Sequence, residues 1–342
     1  MNNRRDFLKT AATGAVLLGS QSKLGIAAML DQHDRHAAAG KSKVVIAKDA
    51  ALHGPAGSPG GQLDEKRVLA LLDRAIAAYT GHENPVEAWK HIVLEGGGQG
   101  KVIGLKTNGL GGRGISTHQA LILAVAERLQ QAGVKPGNIL VWDRSARDLE
   151  ACGLTINTDP SRIRCYGSDV AGYEEQPVAF GAASVKLAKI LTRECAMVLN
   201  LPILKDHNMA GVTFSMKNMY GVVQHPNELH PGGCNPGVAD LNCIPAVRQK
   251  VRFTIGDAMT AVYDGGPTFH PERLWQPNSL IVGEDRVALD QTAWQIIERK
   301  RAEVGMPTLE AGGRLPRYIA TAADAAHNLG VNDPNRIHLM EV

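Results

Sequence analysis

Short apolar runs alternate with longer amphipathic stretches from Val44 onward. Val44–Ala47, Val102–Lys106, Ile139–Trp142, Ala196–Leu199, Arg252–Ile255 and Ser279–Val282 read as strands buried on both faces. Asp64–Tyr79, Thr117–Gln131, Ser184–Arg193 and Val287–Lys300 carry apolar residues at helical spacing. The first begins behind Asp-Glu and the second at the capping residues Ser116 and Thr117. Strands and helices alternating in this way predict an α/β fold, with a parallel or mixed sheet, helices on both faces and enough chain for two lobes. Right-handed crossovers then gather the loops that follow the strands along one edge.

Polar residues recur where the apolar runs stop: Lys106-Thr107-Asn108, Asp143, Asn200, Gly256-Asp257 and Glu284-Asp285. Singly, each is a turn former or helix cap. Together they mark a candidate site, because open α/β sheets bind ligands beyond the carboxyl ends of their strands. The densest stretch is 200–221, NLPILKDHNMAGVTFSMKNMYG, where Pro202 ends a strand and Lys205, His207, Lys217 and Asn218 follow with one acid, Asp206. Such a cluster attracts an anion. Lys106, Lys205 and Lys217 are the expected anion contacts, and Asn108, Asn200 and Asn218 are expected to orient it. His207, Lys205 and Lys217 are the catalytic candidates, with His207 as general acid/base and a desolvated lysine as base or amine nucleophile. Asp143 and Asp257 are expected to tune the histidine or hold a cation.

His207, His225, His230 and Cys234 offer donors suited to a divalent metal, with His225, His230 and Cys234 as the candidate ligands, although their spacing matches no standard pattern. The stretch Gln224–Pro245 is rich in Pro, Gly, His and Asn and reads as a lid; residues 205–245 are the expected site-covering segment. Gly109–Gly114 satisfies G-x-G-x-x-G, yet its helix begins only at Ser116 or Thr117, looser than a dinucleotide fingerprint. A Gly-rich loop admitting an anion to a helix N-terminus is the preferred reading.

The run NLPILKDH, then GVTFSMKNMYG, then GEDRVALD resembles the bacterial family called domain of unknown function 362, whose motifs are strand-Lys-x-Asn, Asn-x-Pro-x-x-Lys-x-His and Lys-Asn-x-x-Gly in this order. The likeness runs from about Val44 to the end. It places Lys106, Asn108, Lys205, His207, Lys217 and Asn218 on recurring family positions. Some members carry ferredoxin-type cysteine clusters; here Cys152, Cys165, Cys195, Cys234 and Cys243 form no C-x-x-C pair. Cys152 with Cys165, or Cys234 with Cys243, could pair as disulfides.

Composition narrows the function. A net charge of +3 over 342 residues with 4% aromatics gives no basic stripe and no stacking platform, so neither a nucleic-acid nor a membrane-surface partner is expected. Arg4-Arg5-Asp6-Phe7-Leu8-Lys9 followed by a mildly apolar Ala/Gly/Leu stretch matches a twin-arginine export signal, which makes the translocation machinery a partner and the periplasm the destination. The apolar stretch is too short for a membrane anchor. The expected organisation is therefore a signal and linker over 1–39 and an α/β domain over 40–342. The function read from it is an exported protein that binds, and in one version transforms, a small anionic carboxylate or phosphate. The rivals are a metal- or redox-cofactor protein and a non-catalytic ligand-binding accessory protein.

Overall fold

The computed structural model describes residues 41–53, 63–112 and 114–342, so the expected export signal lies outside the described residues. In chain order the elements are β1 (Ser42–Lys48), α1 (Glu65–Thr80), α2 (Pro85–Glu95), β2 (Ile103–Lys106), α3 (Gln119–Gln131), β3 (Ile139–Trp142), α4 (Ala146–Ala151), β4 (Arg164–Cys165), α5 (Ser168–Ala171), β5 (Val178–Phe180) and β6 (Ala183–Val185). They continue with β7 (Met197–Asn200), β8 (Ile203–His207), β9 (Gly211–Thr213), α6 (Gly237–Cys243), α7 (Pro245–Lys250), β10 (Val251–Val262), β11 (Leu274–Trp275), β12 (Ser279–Gly283), α8 (Arg286–Glu303), α9 (Arg317–Ala322) and β13 (Ile337–Glu341).

Local chemistry sets the helix ends. Asp64 caps α1 by accepting from the Lys66 and Arg67 amides, and Gly81, at φ +78°, closes it in the left-handed conformation. Asn84 caps α2 ahead of Pro85, and Asp285 caps α8 through the Val287 and Ala288 amides. Asp285 is thus a cap, the ordinary role for an acid at a strand-to-helix turn.

One mixed sheet of 11 strands forms the middle layer, with the order β13-β1-β12-β10-β7-β2-β3-β4. β10, β7, β2, β3 and β4 run parallel, while β12 is antiparallel to both β10 and β1. Alternation sends successive residues to opposite layers. Val45 and Ala47 join the core under α1, α2 and α3. Val44 and Ile46 pack against Ala288, Leu289 and Ala293 of α8. Leu140, Trp142 and Val198 meet α6, α7 and α9 on that second face. Both faces are covered, so the strands read as nearly continuous apolar runs.

Three expectations change. Ser184–Arg193 is not a helix: Ala183 and Val185 are buried and Ser184 exposed, a two-residue alternation that pairs β6 with β5, and only a π-helical turn over Ile190–Glu194 follows. Arg252–Ile255 is the first part of the longer β10, whose second half continues past the point where β7 stops. Ser42–Val342 forms one compact unit rather than two lobes.

Candidate functional site

Register brings the strand ends level. Lys106 on β2 sits opposite Trp142 of β3 on one side and Asn200 of β7 on the other. β7 stops at Asn200 because Pro202 has no amide to give the ladder. The chain is not lost to a loop there. The Asp257 amide donates to the Pro202 carbonyl, and the chain resumes as β8 along the second half of β10. Lys205 and His207 therefore lie on a strand, not in the loop expected from sequence. Alternation along β8 turns both toward a cavity of about 290 Å3, whereas Leu204 joins the core under α8 and Asp206 is held by Gly266 and Arg314.

The cavity is lined by Lys106, Asn108, Asp143, Lys205, His207, Lys217 and Asn218, together with His230 and others. Three lysines from β2, β8 and the 3-10 turn Lys217–Val222 thus converge with relative exposures of 0%, 1% and 6%. Their environments differ. The Lys106 ammonium is ion-paired with Asp143 at 2.5 Å and donates to the Thr107 carbonyl at 2.7 Å. Asp143 in turn accepts from the Gly109 and Arg144 amides. The Lys205 ammonium donates to three neutral oxygens, those of Asn108 Oδ1, Leu110 and Ile115 at 3.0, 2.8 and 3.2 Å. Lys217 Nζ sits 3.5 Å from the centre of the Tyr220 ring, and among the described residues it has neither a hydrogen bond nor an ion pair. Burial lowers Lys205 to about 7 and Lys217 to about 8.

His207 has a fixed tautomer. Its Nδ1 accepts from the Met209 and Ala210 amides, so the neutral ring carries its proton on Nε2. Burial, reinforced by the Lys217 charge, holds the imidazole down to about 2. With its one basic nitrogen engaged by two amides and the cation disfavoured, His207 presents an Nε2–H as a hydrogen-bond donor in this arrangement. Its ring stacks with His230 at 5.7 Å, and His230 is lowered by burial and by Lys217.

The asparagines form a relay. Asn108 Nδ2 donates to Asn218 Oδ1, Asn218 Nδ2 to Asn200 Oδ1, and Asn200 Nδ2 to the Ser215 carbonyl. They orient one another and Lys205. Asn200 contributes from behind the wall, outside the lining. Behind the turn that carries Lys217, Asp290 of α8 accepts from the Ser215 and Met216 amides and the Tyr318 hydroxyl. Gly221 closes the Lys-Asn-x-x-Gly run for a steric reason: a Cβ there would lie 2.7 Å from Lys106 Nζ and 2.8 Å from Asp143 Oδ1.

Other candidates are not gathered. Asp257 faces away from the cavity, its carboxylate accepting from the His118 amide at 2.8 Å and lying 2.8 Å from the His118 ring. His225 and Cys234 are not in the lining, and His230 Nδ1 lies 3.0 Å from the Pro226 carbonyl. Among the described residues no group of three or more His, Cys, Asp or Glu side chains is placed to hold a metal, so the His225, His230 and Cys234 set does not assemble. All five cysteines are free, so neither expected disulfide forms. The Gly-rich loop turns the carbonyls of Leu110 and Ile115 toward Lys205, and Asp257 already occupies the His118 amide that precedes α3. The loop thus holds the Lys205 ammonium with two carbonyls and the Asp143 carboxylate with the Gly109 amide. The lid stretch is structured, with a 3-10 turn at Pro226–Leu229 and α6. Thr213, Tyr220, Arg144 and Asp148 also line the cavity. Thr213 was legible only once β9 was known to pair with β8, opposite Lys205.

Among solved structures, a crystal structure of a protein from Thermotoga maritima is similar at 12% identity with a TM-score of 0.40, covering 71% of this chain. The chain spans 59% of that protein's length. No curated protein matches. A family model described as "Domain of unknown function (DUF362)" matches residues 103–295, from the start of β2 into α8, and takes in Lys106, Lys205, His207 and Lys217. The chain belongs to the domain of unknown function 362 family.

Proposed function

We propose that this protein is exported through the twin-arginine route and binds a small anionic metabolite, a carboxylate or phosphate, in the lysine-lined cavity. One observation carries the reading. Lys205 and Lys217 are buried against the same cavity, and among the described residues neither is ion-paired. A buried cation without a counter-charge is costly, and an anionic ligand offsets that cost. The volume of about 290 Å3 lies at the lower edge of small-molecule sites, roughly 300–1,000 Å3, which favours a small metabolite over a dinucleotide. Donors for the anion are the Nε2–H of His207, the free N–H groups of Lys217 and the Thr213 hydroxyl, which is buried without a partner among the described residues.

Thermal unfolding in phosphate and in small carboxylates tests the binding. A ligand at a hundred times its Kd adds about 2.7 kcal/mol of stability. Stabilisation by anions at constant ionic strength, lost in Lys217→Met, is the expected result. Equal stabilisation of wild type and Lys217→Met places the anion elsewhere. Export rests on Arg4-Arg5 and is tested by fractionation of the Arg4→Lys/Arg5→Lys protein, expected to stay in the cytoplasm.

A further inference from the structure

We propose that Lys217 forms an imine with the carbonyl carbon of a small 2-oxo acid bound in this cavity. The inference rests on the anion-binding reading and adds a carbonyl requirement to it.

The three lysines differ in what their nitrogens can do. Lys106 is ion-paired with Asp143. Lys205 has three acceptors for three N–H bonds, an arrangement that suits an ammonium and leaves no lone pair. Lys217 alone faces the cavity with its nitrogen unengaged among the described residues, on the apolar face of Tyr220. The Tyr220 face itself favours a cation, and burial works against it, lowering the amine to about 8 from 10.5. A larger share of the amine is then neutral than for an ordinary lysine. A desolvated lysine near other cations is the usual setting for imine chemistry.

The surroundings fit a carboxylate next to a carbonyl. Lys106 retains one N–H beyond those given to Asp143 and Thr107, and the Thr213 hydroxyl is unpartnered among the described residues. These can receive the carboxylate beside Lys205, whose three acceptors favour its ammonium form although burial lowers it to about 7. His207 is a neutral Nε2–H donor, suited to polarising a carbonyl oxygen without protonating the amine beside it. The step balances without a redox partner. The Lys217 nitrogen bonds to the carbonyl carbon, and its proton passes to the former carbonyl oxygen to give a carbinolamine. The second nitrogen-borne proton then leaves with the hydroxyl group as water, and the C=N bond forms.

The test is reductive trapping on the whole protein. Sodium pyruvate and cyanoborohydride are added, and the adduct is located by peptide mass spectrometry, with sodium lactate as the ligand lacking a carbonyl. One reduced adduct per chain on the peptide holding Lys217, absent with lactate and absent in Lys217→Arg, is the expected result. If Lys217→Arg does not fold, the wild-type peptide map alone decides. An adduct on Lys205 or Lys106 overturns the assignment. No adduct, while lactate and phosphate still raise the unfolding temperature, overturns the imine and leaves the anion site standing. Neither adduct nor thermal shift removes both.

Discussion

Removing either half of the Lys106–Asp143 pair tests the charge arrangement directly. Both side chains are nearly inaccessible, at 1% and 7%, so solvent screening does little for them. Leaving one buried charge without its partner costs about 3–5 kcal/mol. The two deletions are not equivalent. In Asp143→Asn the ammonium keeps the Thr107 carbonyl, a neutral amide oxygen in place of the carboxylate, and the Trp142 ring 5.7 Å away. In Lys106→Met the carboxylate still accepts from the Gly109 and Arg144 amides, so its loss should be smaller, about 2–3 kcal/mol.

Urea unfolding of wild type, both single variants and Lys106→Met/Asp143→Asn gives the double-mutant cycle. The double variant should lose less than the sum of the singles by about 2 kcal/mol or more. Additive losses below about 1 kcal/mol each would show that the pair is solvated and that the cavity wall is not a low-dielectric surface.

Gly221→Ala should disturb the same pair from the other side, because its Cβ would meet both charged atoms within 2.8 Å; a loss of about 1–3 kcal/mol by urea unfolding is expected, and a neutral effect would mean the turn relaxes freely. Anion binding should draw in protons near pH 8, since the anion raises Lys217 from about 8; calorimetry in buffers of different ionisation enthalpy reads the uptake, which Lys217→Met should abolish. His327 lies 2.8 Å from both Asp240 and Asp324, and although burial acts to lower it, those two carboxylates leave it above its ordinary value. Its stabilising contribution is therefore complete below the unfolded value near 6.5 and is lost as pH rises through the raised folded value. His327→Gln should flatten wild-type stability across that window in urea titrations, and an unchanged slope would count against the clamp.

The layers were legible because each apolar run is short, flanked by turn residues and followed by a helical period, and β1, β2, β3, β7 and β12 fall where the pattern put them. β8 was hidden. Ile203–His207 reads Ile-Leu-Lys-Asp-His, two apolar residues and then three ionisable ones with no two-residue period, and buried charges read as exposed ones unless their partners, here the Leu110 and Ile115 carbonyls and Arg314, are known. The convergence of Lys106, Lys205 and Lys217 was open to sequence through strand-end logic. Asp257 was not distinguishable from Asp143 on that logic, since both follow an expected strand, although Asp257 lies inside β10. The difference is which neighbour each meets, His118 for one and Lys106 for the other. Composition gives no clue to pairing across more than thirty residues of chain.

The alternation in β8 also bears on how rigid the site is. Lys205 and His207 cannot turn away from the cavity without moving Asp206, which lies between them on the opposite face. Asp206 is bonded to the Gly266 amide at 2.6 Å and to Arg314 at 2.7 Å, and Arg314 continues through Asp264 to Arg301. This chain of charges ties β8 to α8 and to the segment before α9. The His207 ring is pinned by two amides and the asparagine relay locks the base of Lys205, so the fixed donors keep their geometry before any ligand arrives. Lys217 is different: its nitrogen rests on a ring face with no directional bond to hold it. A site built from fixed donors around one amine free to re-aim is arranged for that amine to be the group that responds to the ligand.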